Sequence, residues 1–271
     1  MIKRKNEIRK EYLIFLLLAS ILTILAINLI SAIEPTGATI NAATPQTAPN
    51  DTAGSDPKAF AGNITRTDVN AYSTTRSWQG YFGNVTGTIQ LADSADKVLY
   101  NWTLATPEGE VYASTNSTIT WTNIQCFNFT STGSLADDSG QAGATSRFGL
   151  NLTTLETRFN MSSDDVDGID ETFTLTGAGT HDQFFTASRQ FDIGECRNSR
   201  IFSNAGAESN KFEEALLYEP VTTSVVFTAI IEESSITGFD GGDNDFEMLV
   251  LENGHGTDVA ATTYYFFVEI E

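Results

Sequence analysis

Two acidic segments carry carboxylates at the close spacing typical of calcium-binding loops. The first holds Asp164, Asp165, Asp167 and Asp170 beside Gly168, and the second holds Asp240, Asp243 and Asp245 beside Gly241 and Gly242. Calcium binds oxygen ligands supplied by flexible loops of this kind. Neither segment has the glycine and glutamate positions of the helix–loop–helix calcium hand, so each also fits a helix cap or a solvated turn. Calcium is the one cofactor that the sequence suggests.

His181 and His255 are the only histidines of the chain. A Ser-His-Asp hydrolase needs such a residue, and its members can be distant in sequence. The chain lacks the Gly-x-Ser-x-Gly turn that exposes the serine in one large class of hydrolases. We therefore expect a protein that is not an enzyme, and an exported hydrolase remains an alternative.

Eight Asn-x-Ser/Thr sequons predict N-glycosylation of an exported chain. They begin at Asn50, Asn63, Asn84, Asn101, Asn116, Asn128, Asn151 and Asn160. All eight lie between residues 50 and 160, and no asparagine after residue 160 is in a sequon. Because a glycan needs water around it, we expect these asparagines to face solvent.

Cys126 and Cys196 are the only two cysteines. In an exported chain two cysteines are more often paired than free, so we predict a disulfide between them. A bridge over this separation would stabilise the fold by roughly 4 kcal/mol if it acts by restricting the unfolded chain.

The N-terminus has the pattern of an export signal or a membrane anchor. Five basic residues within residues 1–10 precede an uncharged apolar run at residues 13–30. We expect a hydrophobic helix in residues 1–32, either cleaved or kept in the membrane through residues 13–30, with the remainder of the chain outside the cell. Residues 33–70, which hold four of the six prolines, are predicted to form a flexible tether.

The chain has 271 residues and a formal net charge of −20. Residues 161–271 alone hold 22 acidic and four basic groups. Nucleic-acid binding needs a basic surface, so we exclude a nucleic-acid partner. The charge favours solubility and association with cations.

Residues 71–271 consist mainly of short apolar runs separated by turns, which predicts an all-β fold. We expect strands at 77–82, 87–91, 97–104, 110–114, 118–129, 173–176, 184–193, 212–218, 221–231, 245–251 and 262–270. A turn is predicted at residues 93–96. From position 98 to 104 the even residues are apolar, with Asn101 and Thr103 on the opposite face.

One helical insertion interrupts the strands near residues 150–172. The patterns Thr153-x-x-Glu156 and Ser162-x-x-Asp165 resemble capping boxes, so we expect two short helices, with Leu155 and Phe159 facing the sheet. The succession of many short strands with few helices predicts a β-sandwich of jelly-roll or Ig-like type. A bridge from Cys126 to Cys196 favours one domain, and two domains that meet near residue 140 are the alternative.

Three segments resemble secreted, uncharacterised cell-surface proteins of archaea. They are Trp78 to Gly87, Asp240 to Gly254 with its Asp-Phe-Glu-Met core, and the ending Thr263-Tyr264-Tyr265-Phe266-Phe267-Val268-Glu269. The resemblance covers about residues 70–271 and implies an archaeal envelope protein. It assigns no residue a role.

Together these features predict a non-enzymatic, exported cell-surface glycoprotein with a structural or adhesive role. Its partners would be other copies of itself or envelope components, and it could form a filament or coat. Either residues 61–76 or the apolar last strand could add to a neighbour's sheet edge. The alternative is a calcium-dependent carbohydrate-binding module.

Overall fold

In the computed structural model, the described residues are 34–41, 43–45, 59–71, 73–127, 129, 134–135, 147–148, 152–203, 208–232, 236–254 and 260–270. The hydrophobic helix predicted within residues 1–32 lies outside these ranges. Among the described residues, no helix has the length and apolar character required to cross a membrane.

The described chain is built mostly from antiparallel strands, as predicted. The strands are β1 (Thr36–Gly37), β2 (Trp78–Gly83), β3 (Thr88–Ala92), β4 (Val98–Thr103), β5 (Gly109–Ser114), β6 (Gln125–Cys126), β7 (Ser134–Leu135), β8 (Arg147–Phe148), β9 (Phe184–Thr186), β10 (Arg189–Phe191), β11 (Asn198–Phe202), β12 (Glu208–Glu219), β13 (Ser224–Ile230), β14 (Ile236–Thr237), β15 (Asp243–Asn244), β16 (Phe246–Leu251) and β17 (Tyr265–Ile270). Two helices, α1 (Leu152–Arg158) and α2 (Ile169–Thr172), and a 3-10 turn at Trp121–Asn123 complete the described elements.

A seven-stranded sheet forms the centre of the molecule. Its order is β1-β17-β5-β13-β12-β11, and β6 also pairs with β12. β5 lies between β13 and β17, so strands from both sides of residue 140 share this sheet. The remaining strands form two-stranded ribbons, among them β2 with β16, β3 with β4 and β9 with β10.

Both faces of the central sheet are buried. Alternation along β12 places Leu216 and Tyr218 in one apolar cluster and Ala215 and Leu217 in the other. The first cluster is completed by the β2–β16 ribbon and by α1 and α2, and the second by the β9–β10 hairpin and the 3-10 turn. Burial on both faces explains why residues 215–218 of β12 form an uninterrupted apolar run and do not alternate with polar residues.

The helical insertion is present, but its helices begin elsewhere than predicted. Thr153 lies inside α1, and α2 starts after Gly168, which makes no side-chain cap. Ser162 and Asp165 instead close a turn, in which the Ser162 N–H donates to the Asp165 carboxylate at 2.6 Å. Leu155 is buried in the first cluster and Phe159 packs against that cluster, as the sequence predicted.

Two predicted strands are largely wrong. Among the described residues of 118–129, namely 118–127 and 129, only Gln125–Cys126 is a strand, because the 3-10 turn occupies Trp121–Asn123. Within 173–176 only Leu175 forms a bridge, to Asn198. The predicted strand at 184–193 is a hairpin that turns at Ala187, where φ is +54°.

Candidate functional site

The hairpin formed by β3 and β4 exposes an apolar face. The register pairs Ile89 with Trp102 and Leu91 with Tyr100, so these four side chains share one face. They are between 39 and 60 % exposed. The Tyr100 and Trp102 rings contact each other edge to face, with centroids 5.0 Å apart. No other described element forms a sheet with this hairpin.

The sequence predicted this hairpin closely, including its alternation. The turn is held by Asp93, whose Oδ1 accepts the N–H groups of Ala95 and Lys97 at 2.9 Å each. The alternation alone did not determine that Trp102 is 49 % exposed. Every residue of both strands is exposed, which shows that no described element covers either face of the ribbon.

The outer edge of β17 is partly covered by β1, a strand within the predicted tether. Thr36 pairs with Val268 and Gly37 with Phe267, and the Ala38 N–H donates to the Phe266 carbonyl at 2.9 Å. The described residues from 59 to 71 are exposed and contain no strand. The early part of residues 61–76, proposed above as a donor strand, is therefore coil in this structure.

The described sequon asparagines differ in exposure. Asn63, Asn84, Asn101 and Asn160 are exposed. Asn116 is half-buried, and its Nδ2 donates to the Ser224 hydroxyl at 2.9 Å. Asn50, Asn128 and Asn151 lie outside the described residues.

The first predicted calcium segment does not converge on one point. Asp164 is exposed, the Asp165 carboxylate accepts the Ser162 N–H, and the Asp167 carboxylate accepts the Thr75 hydroxyl. Only Asp170 enters a group of carboxylates suited to a cation, and its neighbours there are Glu156 and Glu171. No local sequence pattern indicates this group, because Glu156 lies in α1 and Asp170 lies in α2, 14 positions later.

The second segment forms a turn. The Asp240 carboxylate accepts the Gly242 N–H at 2.9 Å, and the Asp245 carboxylate accepts the Val85 N–H at 2.8 Å. Asp243 is exposed. These carboxylates therefore serve turns and strand ends in the described structure.

His181 is a fully buried residue beside the disulfide. Its Nε2 accepts the Cys196 N–H at 3.0 Å, so Nδ1 carries the proton and donates to the Asp182 carbonyl at 2.6 Å. Burial lowers the pKa of His181, which keeps the ring neutral. Both nitrogens thus form hydrogen bonds with the backbone, and no serine of the described residues forms a hydrogen bond with them. His255 lies outside the described residues.

Cys126 and Cys196 form the predicted disulfide, with Cα atoms 5.1 Å apart. Cys126 lies in β6 and Cys196 lies just before β11, so the bridge joins two segments that both border β12. Cys196 is completely buried.

A cavity of about 240 Å³ lies between α1 and the β12–β13 turn. Its lining mixes polar and aromatic side chains, chiefly those of Asn116, Arg158, Phe159, Thr222 and Tyr264. Burial raises the pKa of Tyr264 well above its usual value, and the Tyr264 hydroxyl donates to the Leu251 carbonyl at 2.8 Å. The cavity offers donors, acceptors and ring faces to a small polar ligand.

Comparisons with protein-family models, with curated proteins and with solved structures found no match.

Proposed function

We propose that this chain is an exported, non-enzymatic cell-surface glycoprotein whose copies assemble into a filament or coat through the apolar face of the β3–β4 hairpin. The observation that carries the proposal is the uncovered set of Ile89, Leu91, Tyr100 and Trp102. A two-stranded hairpin is at best marginally stable by itself in water. Contiguous exposed apolar side chains of this kind mark contact surfaces.

A second copy of the chain is the partner that the charges favour. Residues 88–92 and 98–103 contain no charged side chain, in a chain of net charge −20. The hairpin is therefore a place where two acidic molecules can approach without strong repulsion. Asn101 pairs with Gln90 on the opposite face, so a glycan there would leave the apolar face free.

The β17 edge offers a second route for contact between copies. Only two residue pairs hold β1 on this edge, and a long connection separates β1 from β2. The same short strand supplied by a neighbouring molecule would make the same backbone hydrogen bonds. An exchange of β1 between copies would therefore link neighbouring molecules into an assembly.

The disulfide and the exposed sequons support a location outside the cytosol. Export would begin with residues 1–32, with an envelope of archaeal type. For the finer architecture we propose a β-sandwich, because the β2–β16 ribbon packs over β12 and β13 with apolar side chains between.

The experiment compares the full-length protein with a double variant, Tyr100→Thr with Trp102→Thr, by sedimentation velocity and negative-stain microscopy. Threonine preserves strand propensity and the Asn101 sequon, so only the apolar face is lost. The matched control is Phe202→Thr, an aromatic residue on β11 that is 52 % exposed. We expect large species for the wild type and the control and monomers for the double variant. Monomeric wild type, or assembly of the double variant, would contradict the proposal.

A second candidate is a calcium-dependent carbohydrate-binding module, which the mixed polar and aromatic lining of the cavity favours. Calorimetry with a panel of glycans, with and without calcium, tests it. The matched variant is Arg158→Gln, which removes the one cationic side chain among the described residues of that lining. Saturable glycan binding that this variant weakens would support a carbohydrate-binding function. If no glycan of the panel binds, that function is excluded.

A further inference from the structure

Buried carboxylates follow a common pattern in the described structure. Eight Asp and Glu residues are buried, and seven of them accept a backbone N–H, which comes from the adjoining turn for Glu219 and from another segment for the other six. The seven are Glu110, Glu213, Glu214, Glu219, Asp245, Glu247 and Glu269. In each case this hydrogen bond replaces water at one carboxylate oxygen, while Oε1 of Glu214 and Oε2 of Glu247 have no partner among the described residues.

Glu156 is the exception. It is 3 % exposed, and its Oε1 has no hydrogen-bond partner among the described residues. No described backbone N–H donates to its carboxylate, and its side-chain hydrogen bond is to Asp170, another acid. Its close polar neighbours are the carboxylates of Asp170 and Glu171, and no described Lys or Arg forms an ion pair with any of the three. A buried carboxylate that faces only other carboxylates needs a proton or a cation for compensation.

The distances fit one cation. One oxygen from each of the three residues lies within 4.8 Å of the other two. Oxygens on opposite sides of a calcium ion are about 4.6–5.2 Å apart, because each lies about 2.3–2.6 Å from the ion.

Two helices that pack together position the group. Glu156 lies on the buried side of α1, and Asp170 and Glu171 lie in the first turn of α2. Gly168 precedes α2, and a Cβ there would collide with the Glu171 carboxylate. The absence of a side chain at position 168 therefore leaves room for Glu171 to turn toward Glu156.

We propose that Glu156, Asp170 and Glu171 form a calcium site that fixes α1 against α2. The unpartnered Glu156 oxygen and the spacing of the three carboxylates carry this inference. Calcium would complete its shell with water, since Glu171 is exposed and Asp170 is half-buried. None of the three residues belongs to the β3–β4 hairpin, so this inference does not depend on the proposed assembly.

The ionisation of the group agrees with the geometry. Burial, with the charges of Asp170, Glu171 and Asp165, raises the pKa of Glu156 to about 7. Burial and Asp170 also raise the pKa of Glu171. A bound divalent cation would offset this repulsion and lower both pKa values.

The test measures thermal unfolding of the full-length protein at pH 7.5 in calcium and in EDTA, together with calcium titration calorimetry. We expect calcium to raise the unfolding temperature of the wild type. Glu156→Gln and Glu171→Gln should each weaken calcium binding by about tenfold or more, since even the loss of a residue that only orients a metal ligand costs about that much. Should Glu156→Gln fail to fold, the exposed Glu171→Gln variant decides the question.

The matched control is Asp164→Asn, which removes a nearby but exposed carboxylate outside the group. It should respond to calcium as the wild type does, and so should Asp243→Asn in the other acidic segment. A wild type that does not respond to calcium would overturn the site. A full calcium response in the Glu171→Gln variant would do the same, because the ion would then lie elsewhere.

Discussion

The carboxylate of Glu214, in β12, accepts the backbone N–H of Leu249, in β16, at 2.8 Å. Glu214 is completely buried, and it links the central sheet to the ribbon that covers one of its faces. β16 pairs with β2 on one side only, so its other edge presents backbone groups that need partners. Glu214 supplies one of these partners from a neighbouring layer.

This link predicts different effects for two substitutions of Glu214. Burial raises the pKa of Glu214 well above its usual value, which favours the neutral acid over the charged carboxylate. Glu214→Gln keeps a neutral acceptor, and we expect a change in the free energy of unfolding below about 1 kcal/mol. Glu214→Leu leaves the Leu249 N–H without its acceptor and should cost about 1–3 kcal/mol. Urea unfolding followed by circular dichroism measures both, and equal losses would show that a charged carboxylate is required.

The stability of the protein should fall as pH rises from 4.5 to 7. Burial is the main cause that raises the pKa of Glu213 from 4.5 to about 7, although the Asp182 N–H and Arg200 act in the opposite direction. The folded state therefore binds a proton that the unfolded state releases above pH 4.5, and this stabilisation is lost as pH rises through 7. A shift of this size corresponds to at most about 3 kcal/mol.

Glu213→Gln should flatten this pH dependence while preserving an acceptor for the Asp182 N–H, which donates to Glu213 at 2.6 Å. Urea unfolding at several pH values between 4 and 8 makes the comparison. Glu156 titrates in the same window, and His181, whose pKa is lowered, acts in the opposite direction below pH 6.5. The variant must therefore be compared with the wild type at each pH. If the free energy of unfolding changes with pH equally in both proteins, Glu213 is not the source of the pH dependence.

Removal of the disulfide should destabilise the fold strongly. The bridge joins residues 70 positions apart, and loop closure of this length contributes roughly 4 kcal/mol by restricting the unfolded chain. We expect Cys126→Ser with Cys196→Ser to lose about that amount in urea unfolding. The reduced wild type is the control and should match the double variant. A loss below about 1 kcal/mol would mean that the unfolded chain is compact even without the bridge.

Glycan occupancy should differ between Asn101 and Asn116. Asn101 is exposed on the hairpin, whereas the Asn116 Nδ2 donates to Ser224 in the cavity wall. Modification of Asn116 at Nδ2 would disturb this hydrogen bond and fill the cavity, so we expect lower occupancy there. Mass spectrometry of intact glycopeptides from the native protein measures both sites. Ser224→Ala should raise occupancy at Asn116 if the hydrogen bond is what protects it, and equal occupancy in the wild type would refute the difference.

Local patterns in the sequence were sufficient for many elements. The alternation of apolar and polar residues and the turn residues located each strand of the β3–β4 hairpin to within one residue at each end. This succeeded because both signals depend only on residues that are close together in sequence. The disulfide followed from there being only two cysteines. The pattern failed between residues 118 and 129, where packing of Trp121 into the second cluster favours a 3-10 turn.

The acidic residues show what the sequence did not determine. Asp165 and Asp167 are two positions apart yet accept hydrogen bonds from different partners, whereas Glu156 meets Asp170 across two helices. An acidic residue in an apolar run, such as Glu214, is the one sequence signal of a buried carboxylate, but it does not identify the N–H group that it accepts.

The sequence by itself therefore determined the strand class, the hairpin and the disulfide pair, since these depend on neighbouring residues or on composition. Only the tertiary structure decided that Trp102 is exposed, that seven acidic side chains bind backbone N–H groups and that Glu156 faces two other carboxylates. The physical reason is that burial and desolvation are set by which layers pack together. Those contacts join residues far apart along the chain.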